Sequence, residues 1–306
     1  MLASIQGQTL TDFEVIVVDD GSDAATRAAY PALWARLDGR FRLIELGAAG
    51  GIGVGPSVTR NLGMDSAAGS VLTFCDDDDF WTSHTHLSAM AEVFDKEADV
   101  DLYIANQTAV SSTGNVERTS WLPALDALVR DRARNHAHGY RIALDELVRA
   151  GGFAQLNTVA VRKATVQAIG GFWTRTSYEE DRDFFWRAAD AARAVFFNPD
   201  VIAQHNVPDP LRQNNLSRSF SQPERWLLSA LVSQHIAMTV HHNTVRTLCQ
   251  EYEGDILRRL SRHWSGEGRH ALGVQYARRA LAARVSFKWA VYTAALAARQ
   301  LFRSRS

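Results

Sequence analysis

The chain is poor in cysteine, with only Cys75 and Cys249 among its 306 residues. Two isolated thiols form neither a disulfide framework nor a metal set of their own, and a reducing cytoplasm is the expected compartment. Long apolar runs are missing too. The nearest, Trp289 to Ala298, is flanked by Lys288 and Arg299 and falls short of the roughly 18 residues a spanning helix needs. The opening Met1-Leu2-Ala3-Ser4-Ile5-Gln6 lacks the charged start and sustained apolar stretch of a secretory signal. An excess of one charge is also absent. A formal net charge of -1 removes the simple electrostatic case for a nucleic-acid partner.

Carboxylates are nevertheless concentrated locally. Asp76-Asp77-Asp78-Asp79 stands directly behind the apolar run Val71–Cys75. Four adjacent carboxylates repel one another, and helix N-termini, a hard divalent cation or both can offset them at a strand end. The competing reading is a solvated acidic turn whose last Asp caps a helix beginning near Trp81 or Thr82. A second apolar run, Val15–Val18, is followed by Asp19-Asp20-Gly21-Ser22, and a third acidic set, Glu179, Glu180, Asp181 and Asp183, opens a helix-like segment. Carboxylates gathered beyond the carboxyl ends of strands in an open α/β sheet describe a ligand crevice.

Alternating apolar and amphipathic segments predict βα units over residues 14–161. Strands are expected at Val15–Val18, Phe41–Leu46, Val71–Cys75, Leu102–Ala105 and Thr158–Val161, and helices at Ala24–Leu37, Ser57–Ala67, Ser83–Phe94 and Asp181–Ala192. Ser111–Asn115 reads as a hairpin loop. Trp121 to Arg149, broken by Pro123, His136, His138 and Gly139, reads as a substrate-shaping flap. Past Pro223 the pattern is helical, which divides the chain into residues 1–222 and 223–306. The stretch from Arg258 to Arg305 sets a single acid, Glu267, against many Arg and Lys, with Trp264, Tyr276, Phe287, Trp289, Tyr292 and Phe302 interleaved. It reads either as a surface drawn to anionic lipid or as a helical hairpin that packs its aromatics inward beneath a solvated Arg face.

Taken together, the motifs resemble the inverting GT-A glycosyltransferases of family 2. Val17–Ser22 is similar to that family's nucleotide-binding motif, and Arg60-Asn61-Leu62-Gly63 to its Arg-Asn-x-Gly helix. Asp76-Asp77-Asp78-Asp79-Phe80-Trp81 resembles its Asp-x-Asp-Asp-x-Trp metal motif, and Gly170-Gly171-Phe172 with Glu180-Asp181-Arg182-Asp183 its Gly-Gly-Phe and Glu-Asp-x-Asp pair. The likeness runs from Leu2 to Ser217. It implies an α/β, Rossmann-like GT-A fold with a C-terminal helical extension. It begins inside the family's first helix, so the family's opening strand and turn have no counterpart, and the strands on either side are expected to lose a central pairing partner.

The resemblance also implies roles. Asp20, ahead of Asp19, would accept from a base edge, unless it serves only to cap the next helix. Arg60 would face the nucleotide or its diphosphate, or else form an exposed ion pair. Asp76 and Asp77 fall on the donor side. Asp78 with Asp76 would bind Mg2+ or Mn2+, on the argument that alternate side chains of an extended segment point the same way. Asp79 would cap the following helix. Asp181, with Glu180 as the alternative, would be the general base, against a purely helix-dipole role for both. His205 is either a metal or phosphate ligand or a structural loop histidine.

The expected activity is metal-dependent inverting transfer from a nucleoside-diphosphate sugar, with UDP-sugar the default, to a glycan or lipid-linked acceptor in surface polysaccharide or glycan synthesis. Its place would be the cytoplasm or the inner membrane face, with the basic tail as peripheral contact. The alternatives are a truncated GT-A binding or assembly module and a sugar nucleotidyltransferase. The latter calls for a Gly-rich, basic loop after the first strand, which is not present in the sequence.

Overall fold

The computed structural model describes residues 1–134, 139–207 and 220–303, without the side chains of 301–303. His136, His138 and Arg305 lie outside the described residues. The chain forms two compact units, Met1–Arg212 and Gln213–Ser306.

The first unit opens with α1 (Leu2–Gln6), β1 (Val15–Asp19), α2 (Ala24–Trp34) and β2 (Phe41–Glu45). β1 and β2 pair in parallel, Val15 opposite Phe41 and Asp19 opposite Glu45. Asp23 caps α2, its side chain accepting from the Thr26 amide at 2.7 Å. A glycine-rich loop enters α3 (Pro56–Ser66), whose first-turn Pro56 gives up no helical hydrogen bond. Next come β3 (Val71–Thr73), β4 (Phe80–Trp81) and α4 (His86–Lys96). The helix starts later than the sequence pattern suggests because Phe80 and Trp81 are drawn into pairing with Gln204 and Ala203.

β5 (Val100–Val110) is buried along nearly its whole length and forms the expected hairpin with β6 (Val116–Arg118). The segment read as a flap is partly built into the fold: α5 (Pro123–Val129) and α6 (Leu144–Ala150) bury Leu125, Val129 and Leu147, and β7 (Tyr140–Ile142) joins the sheet. β8 (Val159–Arg162), α7 (Lys163–Ile169), α8 (Glu180–Ala191) and β9 (Ala194–Asn206) complete the unit. The main sheet runs β3-β8-β5-β9-β4, with β6 on β5 and β7 on β9. It is mixed rather than parallel, since β8, β4, β6 and β7 all pair antiparallel. The β5–β9 register slips around Asn106, opposite Pro199 and Asp200, a bulge that tolerates a proline within a strand.

Between β1 and β3 the sheet is interrupted. Among the described residues β1 pairs only with β2 and β3 only with β8, although the ends of the two strands are tied together. Glu14 Oε1 accepts from the amides of Ala68, at 2.5 Å, and Gly69, at 3.0 Å, just before β3. α3 packs on β1 where Gly63 meets Val18. Val15 to Val18 are only half-buried, whereas central strands of α/β sheets are ordinarily buried on both faces.

The second unit contains α9 (Gln222–Thr239), α10 (Asn243–Gly266), α11 (His270–Ala283) and α12 (Phe287–Arg303). Ile256, Leu257, Leu260, Val274, Trp289 and Leu296 form its core. Small residues bring α10 and α11 close: Ser261 Oγ donates to Gly273 O at 2.8 Å, and a Cβ on Gly273 would lie 2.1 Å from Ser265 Oγ.

Candidate active site

Arg60, on the second turn of α3, is the hub. Its guanidinium donates to Asp76 Oδ1 at 2.9 Å and to Glu180 Oε1 at 2.8 Å, and it lies 5.5 Å from the centre of the Phe172 ring. One cation therefore bridges the acidic turn behind β3 and the first turn of α8. Asn61 accepts from the Phe172 amide at 2.7 Å and donates to Phe172 O at 2.9 Å. A Cβ on Gly171 would stand 2.6 Å from Asn61 Oδ1, and φ there is 71°, so this turn requires glycine.

The acidic run is a turn, with the Asp79 amide donating to Asp76 O at 3.1 Å. Strand alternation therefore does not align Asp76 with Asp78, as the sequence argument had it. Nor does Asp79 cap a helix: the α4 N-cap is Thr85. Asp79 is 1% exposed. It accepts from the Asn206 amide at 2.7 Å and from an Asn157 amide hydrogen, and it pairs with His205 Nδ1 at 2.9 Å. Asn157 Oδ1 also accepts from the Asp76 amide at 3.0 Å, so one buried asparagine grips both ends of the turn. Asn157 and Asn206 carry no sequence signal that marks them out. Only the fold brings them here.

His205 is a residue of β9, not of a loop beyond it. Its Nδ1 is committed to Asp79, leaving Nε2 as its remaining ring nitrogen, and Trp121 packs edge-on against it at 5.7 Å. Burial pulls its pKa down, but the hydrogen bond and charge of Asp79 outweigh this and raise it. Asp78 is lifted to about 6, by desolvation and then by Asp79, Asp77 and Asp76. Asp78 is exposed, so repulsion from these carboxylates holds its proton more than burial does. Asp77 is exposed as well.

At the start of α8, Glu179 adopts a left-handed conformation with φ 57°, unusual for a residue with a side chain. This turn presents Glu180 to Arg60 and leaves Asp181 accepting from the Arg182 amide at 2.8 Å. Burial first, and the Glu180 charge second, push Asp181 up to about 7. Asp183 is buried and paired with Arg187, which also donates to Ile169 O at 2.7 Å and Gly171 O at 2.8 Å. That pair holds α8 to the Gly170-Gly171 turn.

Asp19 and Asp20 stand apart from this group. Asp19 is buried, accepting from the Ser22 amide and from Arg27 Nε at 2.7 Å. Asp20 accepts from the amides of Val54 and Gly55, each at 2.8 Å. It thereby fixes the loop that starts α3, the helix that carries Arg60.

Residues 1–162 match the sequence family described as Glycosyl transferase family 2. The chain belongs to that family. Two Bacillus subtilis (strain 168) proteins named as glycosyltransferases are similar to this family 2 chain: EpsH, 33% identical over 109 residues, and YwdF, 34% identical over 94. The matched stretches cover 35% and 30% of this chain and 29% and 31% of those proteins, so the chain spans less than a third of either relative. Among solved structures, S. aureus TarS 1-349 in complex with UDP-GlcNAc superposes with a TM-score of 0.61 at 16% identity, covering 94% of this chain and 78% of that one. TarS 1-349 in complex with UDP gives 0.56 at 17%, covering 87% and 67%. These likenesses establish the GT-A fold of the family 2 chain.

A divalent cation implied by the family is compatible with the donor set: carboxylates at Asp76 and Asp78 and the Nε2 of His205 are oxygen and imidazole donors. Among the described residues no three such side chains form a ready-made cage. Mg2+ ordinarily takes one or two carboxylates, which the acidic turn can supply, together with substrate phosphates.

Proposed function

We propose that the chain transfers a sugar from a nucleoside-diphosphate donor, UDP-sugar by preference, to the hydroxyl of a glycan or lipid-linked acceptor, with inversion, in surface polysaccharide or glycan synthesis. The observation that carries this reading is Arg60 joining Asp76 to Glu180. It couples a carboxylate turn that a divalent cation would bridge to a diphosphate with the helix start that bears Asp181. TarS, the structural neighbour bound to UDP-GlcNAc, supports a nucleotide-sugar donor here.

Asp181 takes the proton of the attacking hydroxyl. The hydroxyl oxygen's lone pair forms the new bond to the anomeric carbon as the bond to the diphosphate oxygen breaks on the opposite face. Asp78 and Asp76, with His205, would hold Mg2+ or Mn2+, which offsets the charge growing on the departing nucleoside diphosphate. Arg60 adds a fixed cation beside the same turn, and Asp20 orders the loop above it. Asn157 and Asp79 keep that turn and His205 in register. Asp19, engaged by Ser22 and Arg27, supports the loop that presents Asp20.

Calorimetric titration of UDP with Mn2+ into the protein and its Asp78→Ala variant tests the donor half. Metal-dependent affinity should vanish in the variant while far-UV circular dichroism stays unchanged. Equal metal-dependent affinity in both would remove Asp78 from the site.

A further inference from the structure

The packing alternative accounts for most of the aromatics in the second unit but not for all of them. Trp289 is buried, its Nε1 donating to Ala277 O at 3.0 Å, and Trp264, Tyr276 and Tyr292 pack against the same core. Several arginines are absorbed as well: Arg258 and Arg262 lie 5.5 Å from the Trp289 ring centre, and Arg269 lies 4.7 Å from that of Trp264. Phe287 is left 87% exposed, Val285 88% and Val291 54%.

These residues lie at one end of a continuous face. At about 100° per residue, Phe287, Val291, Ala294 and Ala298 fall within one arc of α12, and all four are exposed. The opposite face buries Trp289, Thr293 and Leu296. Exposed Lys288 and Arg299 lie along one margin of the outward arc, and Arg284 precedes it. No Asp or Glu occurs after Glu267. A helix that is apolar on its solvent side needs a partner. A second copy apposed through this face would bring the same cations together with no acid in the segment to meet them.

We propose that the α12 face, led by Val285 and Phe287, seats in the headgroup region of an anionic membrane, with Lys288 and Arg299 meeting lipid phosphates. An interfacial helix takes this form, with an apolar face entering the acyl boundary and cations at its edge. Among the described residues no helix is long and apolar enough to cross a membrane, and this mode of attachment needs none. The inference does not depend on the transferase reading.

Flotation of the full chain with phosphatidylcholine vesicles, with and without about one-third phosphatidylglycerol, tests it. Binding should require phosphatidylglycerol and weaken as salt rises. Lys288→Ala with Arg299→Ala should cost on the order of 25-fold, about fivefold per cation, and Phe287→Ser with Val291→Ser about tenfold or more. Met238→Ser, exposed on α9, should leave binding unchanged. Thermal melting should show each variant folded. Three results would overturn the proposal: no phosphatidylglycerol-dependent flotation, equal flotation by the Phe287→Ser/Val291→Ser variant, or a dimer in analytical ultracentrifugation that this variant dissociates.

Discussion

Asp181 combines two opposing demands in one carboxyl group. Burial and Glu180 raise it to about 7, well placed for a general base working near neutral pH. In the proposed role Asp181 acts in its ionised form, so the rate should climb as pH rises through about 7, where an ordinary carboxylate would have finished titrating near 4. Asp181→Asn should lower transfer about 10²–10⁴-fold with donor affinity little changed. If Glu180→Gln abolishes transfer and Asp181→Asn spares it, the roles are exchanged. Stability should move the other way. A carboxyl whose folded pKa lies above its unfolded value binds more protons when folded, so its ionisation destabilises the fold, and the loss accumulates as pH rises from about 4 to about 7. Asp181→Asn should therefore unfold at higher urea than wild type at pH 8 and at the same urea at pH 4, whereas coincident curves at both would show that the group carries no such strain. Asp181 and Arg60 could be named from the sequence because their motifs are contiguous. Asn157 could not, since its significance lies in reaching Asp76 and Asp79 across some 80 positions of chain.

Individual elements were legible where the pattern was local. The spans of α2, α3 and β2 match their sequence patterns to within a few residues, and the Ser111–Asn115 hairpin forms as read. Short strands made by pairing alone were not legible: Phe80–Trp81 and Tyr140–Ile142 become strands only because β9 lies beside them. α8 shows how an element acquires a fixed place. Asp183, with no exposed surface, and Arg187 form a buried pair at 2.5 Å that also binds the carbonyls of Ile169 and Gly171. Removing one partner strands the other charge, so Arg187→Met should destabilise the unit by about 3–5 kcal/mol in urea unfolding. Lys96→Ala offers the contrast. Lys96 pairs with Glu92, and the two side chains are 50% and 40% exposed, so the loss should stay near 1 kcal/mol or below. Similar costs for the two would mean that burial does not set the worth of these pairs.

Across the whole molecule, the interrupted sheet is the feature with the widest consequences. Among the described residues β1 lacks a ladder partner on one side, and so does β3, yet Glu14 and α3 bind the two strands into one unit. The resemblance to family 2 implies either an open edge here or another segment recruited into the gap, and the half-buried Val15–Val18 agree with the open edge. What the sequence could not disclose is that the remaining strands close into a mixed sheet around β5 and β9 without a replacement from elsewhere in the described residues. An open apolar edge invites association with other strands, and β1 ends at Asp19 with Asp20 directly after it, so slack in β1 reaches the loop that starts α3. Supplying an extended apolar strand, fused ahead of Met1 and long enough to pair with both Val15–Asp19 and Val71–Thr73, should therefore act on fold and site together. The melting temperature should rise by on the order of 5–10 °C, as a few kcal/mol would give in a unit this size, and UDP affinity should rise in parallel, because the same strand steadies Asp20 and Asp76. A scrambled strand of equal composition, rich in glycine and proline, should do neither. A melting temperature that rises with no gain in UDP affinity would separate the sheet edge from the nucleotide site, and no change in either would show that β1 and β3 are already held as firmly as a paired sheet would hold them.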